Sequence, residues 1–387
     1  MKKIYVPLLA ILVAFSHTAA PAPLPAPPPE AVRPVDETFV REIAALPAEE
    51  QVQRVIAKLK ELNPRFDARE KHVIKNGQVT ELSFSTALVT NISPVRALKH
   101  LNKLACAGTS DGRRPLADLS PLKGLPLTSL DIGFTSVKDL SPLAGMQLTE
   151  LNCAWSQVSD LSPLKGMPLA RLNCAGSKVT DLSPLSGLPL ANLACGFTKV
   201  TNLAHLRGLP LKELNCEHTD VTDLAALSSL ALTRLDCSST KVADLSPLRT
   251  LPLTSLNCAF TPVSDLAPVA ALKLAALDCR GTEVRGLSAL KSASIGSLII
   301  SYTKVADLTS LKGAKLSYLE CPSTGITDFS ALKETGIRDL RCDFHPKRDL
   351  NVLLSIPTLT RVNGTATAQL KEMQKSLGLA AVDTAAK

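Results

Sequence analysis

LTELNCAWSQVSDLSPLKGMP (residues 148–168) runs without a break into LARLNCAGSKVTDLSPLSGLP (169–189), and the frame returns as LTRLDCSSTKVADLSPLRTLP at 232–252. The shared pattern, 21 residues long, is L-x-x-L-x-C-x-x-T-x-V-x-D-L-S-P-L-x-x-L-P, with Ser standing for Thr in some copies. Thirteen copies run from Val79 to Pro357, eleven of them in unbroken phase from Leu127. Only the second copy carries a loop, around Asp111 to Pro115. A fixed period of this length marks a solenoid, because one unit cannot bury its apolar face alone and must stack on its neighbours. Composition agrees: 45% of residues are hydrophobic but only 3% aromatic. A chain burying Leu, Ala and Val almost exclusively builds many similar thin layers, whereas a single compact core draws on large rings.

Within the frame, the first Leu, the second Leu, the Cys and the Val face inward, and a short parallel strand forms around the second Leu. Neighbouring strands then stack at about 4.8 Å. The pattern matches the leucine-rich frame L-x-x-L-x-L-x-x-N-x-L, with Cys for its third Leu and Thr or Ser for its Asn. The expected fold is an α/β-type solenoid, a leucine-rich-repeat horseshoe. Its short parallel strands line the concave face, and short turns or 3-10 helices line the convex face.

The flanks read differently. Lys2 and Lys3, the apolar run from Ile4 to Phe15 and small residues through Ala20 have the order of a secretory signal peptide. Such a run is short for a membrane span; cleavage near Ala20 and retention as an anchor are both open. Residues 21–35 form a proline-rich linker of extended, polyproline-like character. An N-terminal cap is expected over 36–78. There Val52, Val55, Ile56, Leu59 and Leu62 recur at helical spacing behind Pro47, with Glu49 and Glu50 in the first turn. Asn76-Gly77 then joins two apolar-alternating runs as a hairpin. Residues 358–387 read as a C-terminal helical cap and tail.

The repeats resemble those of bacterial leucine-rich-repeat proteins of the internalin-like kind, whose units also carry a D-[IL]-S-P-L segment. The chain is also similar to bacterial arrays that follow serine/threonine protein kinase domains or stand alone behind a signal peptide. In those arrays too, a helix like Ala45–Val52 and a hairpin like Asn76-Gly77 precede the repeats. The resemblance covers roughly residues 40–360. It implies a curved solenoid that binds protein partners, and it supplies no catalytic residues. No kinase domain accompanies the array, because the Gly-rich loop, H-R-D and D-F-G motifs are absent from the sequence.

The ten cysteines stand in one column: Cys153, Cys174, Cys195, Cys216, Cys237, Cys258 and Cys279 are one repeat apart, and Cys106, Cys321 and Cys342 share the position. Ile132 and Ile300 replace Cys there, so the column reads as apolar core. Pairing of adjacent cysteines and metal binding are the competing readings; no C-x-x-C supports the second. The ninth-position Thr or Ser forms a hydroxyl ladder that satisfies backbone groups. The Asp before L-S-P-L, as in Asp139, Asp160 and Asp181, caps the convex turn. One Asp per unit is too sparse for a calcium loop.

Individuality therefore rests on the variable positions. Outward strand positions hold Glu150, Arg171, Glu213 and Arg234, among Asn and Asp, and make the concave face polar and mildly acidic. Lys and Arg fall mostly on the back, so the net charge of +8 reads as solubility and nucleic acid is not an expected partner. One residue before the ladder hydroxyl stand Phe134, Trp155, Phe197, His218, Phe260, Tyr302 and Phe344, interspersed with Gly and Ser. An exposed row of rings suits a protein-binding surface; packing over the small residues of adjoining repeats is the equal alternative. The histidines show no ligand spacing, and no Ser/His/Asp set stands out. The expectation is an exported, monomeric solenoid in the periplasm, cell envelope or medium. It has no cofactor, no catalytic residues and no membrane span beyond the signal segment. It binds a protein partner through its concave face and the ring stripe. A structural spacer of the envelope is the alternative, and a regulator partnered with a kinase is a third reading.

Overall fold

Residues 35–379, apart from 113, 292 and 294, are described by the computed structural model of the chain. The expected signal segment, all but the last residue of the linker, and the tail from 380 lie outside the described residues.

Two helices come first. α1 (Glu37–Ala44) is capped by Asp36, whose Oδ1 accepts the Phe39 N–H at 2.7 Å. α2 (Ala48–Leu62) buries Val52, Val55 and Leu59, as its apolar spacing predicts. Asn63 ends α2 in a buried position, where its amide donates to the carbonyls of Leu59 and Asn91, each at 2.8 Å. Its Oδ1 accepts the N–H groups of Thr90 at 2.9 Å and Asn91 at 3.0 Å. One side chain thus satisfies polar groups on both sides of the junction between cap and first repeat, where leaving them unmet would be costly.

β1 (Glu70–Lys75) and β2 (Gln78–Phe84) pair antiparallel around Asn76 and Gly77, whose φ values of 51° and 74° give the turn the left-handed pair a tight hairpin requires. The other edge of β2 pairs in parallel with β3 (Lys103–Ala105), so hairpin and first repeat share a strand. Eleven three-residue strands follow, from β4 (Ser129–Asp131) to β14 (Asp339–Arg341), in strict phase: Leu130 faces Leu151, and Leu151 faces Leu172. β15 (Arg361–Val362) continues the parallel run, and β16 (Thr365–Ala366) returns antiparallel around Asn363-Gly364. The result is an open sheet of 16 strands with 3-10 turns such as Ser141–Leu143 and Ser162–Leu164 between them, a leucine-rich-repeat solenoid.

The frame positions act as the sequence predicts. Leu148, Leu151, Cys153 and Val158 of one unit are all buried, and so are their equivalents in every copy before the last. Thr198 Oγ1 donates to the Cys195 carbonyl and Thr240 Oγ1 to that of Cys237, both at 2.6 Å, where the strand ends and the ladder N–H partners run out. Asp160 accepts the Ser162 N–H at 2.8 Å and its hydroxyl at 2.7 Å, and these bonds hold the carboxyl below its ordinary range. All ten cysteines are buried and unpaired, and burial pushes the thiols up, Cys174 to about 12.

The last copy departs from the frame. His345 stands where the ladder hydroxyl belongs, and Pro346 follows at the first position of an α-helix, where its missing N–H costs nothing. α3 (Pro346–Leu354) replaces the 3-10 turn, with buried Asp349 accepting the His345 N–H at 2.7 Å. α4 (Thr367–Ser376) packs on it as the C-terminal cap.

Candidate partner-binding face

Each inward Leu of the strands has a neighbour on either side that points to the concave face. The second of these is Asn or Asp in most units, and its side chain is half-buried. Its oxygen accepts the backbone N–H two residues on: Asp131 from Gly133 at 2.9 Å, Asn152 from Ala154 at 3.1 Å, Asn215 from Glu217 at 3.0 Å. Neighbouring units add a lateral bond, from Asn152 Nδ2 to Asp131 Oδ1 at 2.9 Å and from Asn257 Nδ2 to Asp236 Oδ2 at 2.8 Å. These are Asx turns, which lead the chain out of the strand. Part of the row that reads from the sequence as polar surface is therefore scaffold.

The residue delivered by that turn takes left-handed backbone. Phe134, Trp155, Phe197, His218, Phe260 and Tyr302 have φ between 51° and 59°. Gly176 and Gly281 occupy the same place at 65° and 64°, and Ser239 and Ser323 at 53° and 56°. A side chain in this region costs on the order of 1 kcal/mol against glycine. The turn belongs to the frame, whereas filling it with rings or serine in place of glycine is a choice of this sequence, made against that cost.

Some of the rings repay it on one another. Phe134 and Trp155 stack at 6.2 Å between centroids, Trp155 meets Phe197 at 5.5 Å, and Phe197 stacks on His218 at 4.4 Å. Trp155 reaches Phe197 two units away because Gly176 lies between them: a Cβ there would come within 2.4 Å of the indole. Arg114, on the loop of the second copy, closes the end of the stack. Its guanidinium lies 5.8 Å from the Phe134 centroid and donates to the Trp155 carbonyl at 2.6 Å. Further along, Phe260 leans over Gly281 yet is 54% exposed, and Tyr302 is 62% exposed with no ring contact among the described residues. Edge packing thus accounts for the first four rings, and the last two remain open to solvent.

Phe344 lies off this row. The last copy lacks the left-handed turn, and the ring is half-buried against the core beside α3.

The charged residues expected on the concave face pair with each other. Arg171 reaches Glu150, and Arg234 Nη2 lies 3.0 Å from Glu213. A tighter cluster sits further along, around Arg280, which sequence reading passed over. Arg280 holds Asp278 through Nε and Nη2 at 2.7 to 3.0 Å and lies 3.8 Å from Glu320. Glu320 also accepts the Tyr318 hydroxyl at 2.6 Å and stands 3.7 Å from Arg341. Asp278 raises the Arg280 guanidinium further, and burial, with Glu320 beside it, pushes the Tyr318 phenol up. A signal was present in the sequence: Arg280 is the basic residue in a column of mostly small residues, Gly133, Ala154, Ala175 and Gly196 among them, that otherwise carries charge at Glu217 and Asp343.

Among the described residues, no group of three His, Cys, Asp or Glu could hold a metal ion, and no helix is long and apolar enough to cross a membrane.

Comparison with solved structures places the fold. An internalin, InlF, from Listeria monocytogenes is similar at 23% identity and a TM-score of 0.58, over 89% of this chain and 99% of that one. A leucine-rich-repeat protein from Leptospira interrogans matches at 16% identity and a TM-score of 0.58, over 77% of this chain and 81% of that one. The functional domain of Listeria monocytogenes InlJ, described as including a cysteine ladder, is 24% identical over 72% of this chain and 71% of its own, with a TM-score of 0.49. No protein-family model and no curated protein matches the sequence. The fold is that of a bacterial internalin-like leucine-rich-repeat protein.

Proposed function

We propose that the chain is an exported protein that binds a protein partner along its concave face and the adjoining ring stripe. The observation that carries this is the exposure of Phe260 and Tyr302 at left-handed positions that glycine or serine fills elsewhere in the row. Any side chain here costs backbone free energy against glycine, and these two exposed rings gain little from neighbours to offset it, which is what a sequence retains when the gain comes from outside. Aromatic anchors of this kind dominate interface energetics. Glu150, Arg171, Glu213 and Arg234 flank the stripe as a polar rim whose charges are already matched in pairs. That matching favours the second reading, an envelope spacer whose surface asks nothing of a partner.

Capture from envelope extract separates the two. Serine is native to this conformation at 239 and 323, so Phe260→Ser with Tyr302→Ser leaves the turn intact. The double variant is expected to lose the captured partner. Equal recovery by the variant, or no specific recovery by either protein, sinks the stripe as a binding surface and leaves the spacer.

A further inference from the structure

The first and last hairpins of the sheet turn on the same dipeptide. Asn76-Gly77 joins β1 to β2 and Asn363-Gly364 joins β15 to β16, and Asn-Gly occurs nowhere else in the sequence. The backbone angles match: φ is 51° and 74° in the first turn and 49° and 83° in the second, and all four residues are exposed. Both ladders close on the residues flanking the pair, Lys75 with Gln78 and Val362 with Thr365, so the turn residues lie outside them. Glycine has no Cβ to shield its amide nitrogen from the side chain before it. Every other Asn in the chain is followed by a residue that carries one.

The two side chains are held differently. Asn363 Oδ1 accepts the Cys342 N–H at 2.9 Å, and its Nδ2 donates to the Cys342 carbonyl at 3.0 Å, so this amide is clamped to the neighbouring rung. Asn76 makes no side-chain hydrogen bond among the described residues, and its neighbour Lys75 is turned to Glu81 at 3.1 Å. Bringing Cγ of Asn363 onto the Gly364 nitrogen requires breaking both bonds and strands the N–H of a buried residue. Two bonds of ordinary net worth slow a step that must break them by roughly tenfold to a hundredfold. No such hold slows Asn76.

We propose that Asn76 is a self-modification site of the folded protein, converting with Gly77 to aspartate and isoaspartate while Asn363 is protected. The Gly77 amide nitrogen attacks Asn76 Cγ, the Cγ–Nδ2 bond breaks, and ammonia leaves with the amide proton, closing a succinimide. Water then opens the ring at either carbonyl, and nothing is oxidised or reduced. Each product places a new carboxylate beside Lys75. Isoaspartate also adds a methylene to the main chain of a two-residue turn, which the register of Lys75 with Gln78 cannot absorb. β2 keeps β3 as its parallel partner, so the loosening is confined to β1, whose His72 meets Glu49 of α2 at 3.3 Å.

Ageing the purified full chain tests this. The protein is kept folded in mildly alkaline buffer, sampled over time, digested under acid and mapped by mass spectrometry for the gain that turns an amide into an acid. A parallel sample is kept in denaturant. In the folded protein Asn76 should convert first, with Asn363 behind it by roughly tenfold to a hundredfold. In denaturant the two sites should convert at similar rates, because the Cys342 clamp is gone. Isoelectric focusing of the folded chain should show an acidic species that grows with time and that Asn76→Gln lacks. Equal rates at the two sites in the folded protein, Asn363 leading, or an Asn76 that stays intact until the chain is denatured would each overturn the proposal. So would a difference between the sites that persists in denaturant, since the folded clamp would then not be its cause.

Discussion

Removing the ring of Phe197 is expected to cost stability that removing the ring of Tyr302 does not. Both residues take left-handed backbone, at φ 55° and 59°, and serine is at home in it at 239 and 323. Phe197→Ser and Tyr302→Ser therefore carry the same backbone term, which cancels on comparison. What differs is the neighbourhood: Phe197 has ring partners at 5.5 and 4.4 Å and is 42% exposed, against 62% for Tyr302. Two ring contacts at about 0.5–1.5 kcal/mol each amount to roughly 1–3 kcal/mol. The extra fifth of its surface that Phe197 buries adds at most about 1 kcal/mol at ~25 cal/mol per Å². Phe197→Ser should thus lie about 1–4 kcal/mol below Tyr302→Ser. Urea unfolding followed by far-UV circular dichroism measures the difference, and Trp155, the chain's sole tryptophan, reports on the stack through its emission. A double-mutant cycle of Trp155→Ser with Phe197→Ser should show coupling of about 1 kcal/mol. Gly176→Ala should shift the emission as well, because its Cβ meets the indole at 2.4 Å. Equal losses at 197 and 302 with no coupling to Trp155 would refute the division of the row into a packed and an open half.

Three further outcomes follow from the scaffold. Native protein should leave its ten thiols unreactive toward a thiol reagent near neutral pH, since burial raises them, Cys279 for example to about 12. After denaturation without reductant all ten should react, and a shortfall of two or more would mean that neighbouring rungs pair. His72 bonds Glu70 at 3.0 Å and meets Glu49 of α2 at 3.3 Å, and the Glu70 hydrogen bond leads in raising its pKa above 6.5. Its contribution to the cap is then complete below pH 6.5 and is lost as pH rises through the raised value; His72→Gln should flatten that slope in a thermal melt across pH 6–9. The turn aspartates, Asp139, Asp160 and Asp181 among them, are held low by bonds from the serine two residues on. Their contribution is present above the ordinary carboxylate pKa near 3.8 and fades as pH falls through the lower folded values, so melts should soften below about pH 4 and Asp160→Asn should soften less.

The sequence alone determined the solenoid, its period and the roles of the Leu, Cys, Val, Thr and turn-Asp columns. Stacking places equivalent residues of successive units side by side, so a one-dimensional pattern already states the three-dimensional contact: Leu151 on Leu172, Cys153 beside Cys174, Thr198 on its own unit's carbonyl. The same logic failed at the last copy, where the letters kept the frame through Cys342 but His345-Pro346 turned the segment into a helix and drew Phe344 out of the stripe. It also read the Asn and Asp row as plain surface, because an outward position on a strand looks the same whether its side chain meets water or the N–H two residues on. Only the tertiary structure divided the ring row. Whether a ring is packed or free depends on the direction in which it leans and on the size of the side chain one unit away, and these are set by left-handed backbone that period and composition do not encode. The stripe that looked uniform is a closed stack from Arg114 to His218, a break at Ser239, and two exposed rings beyond it.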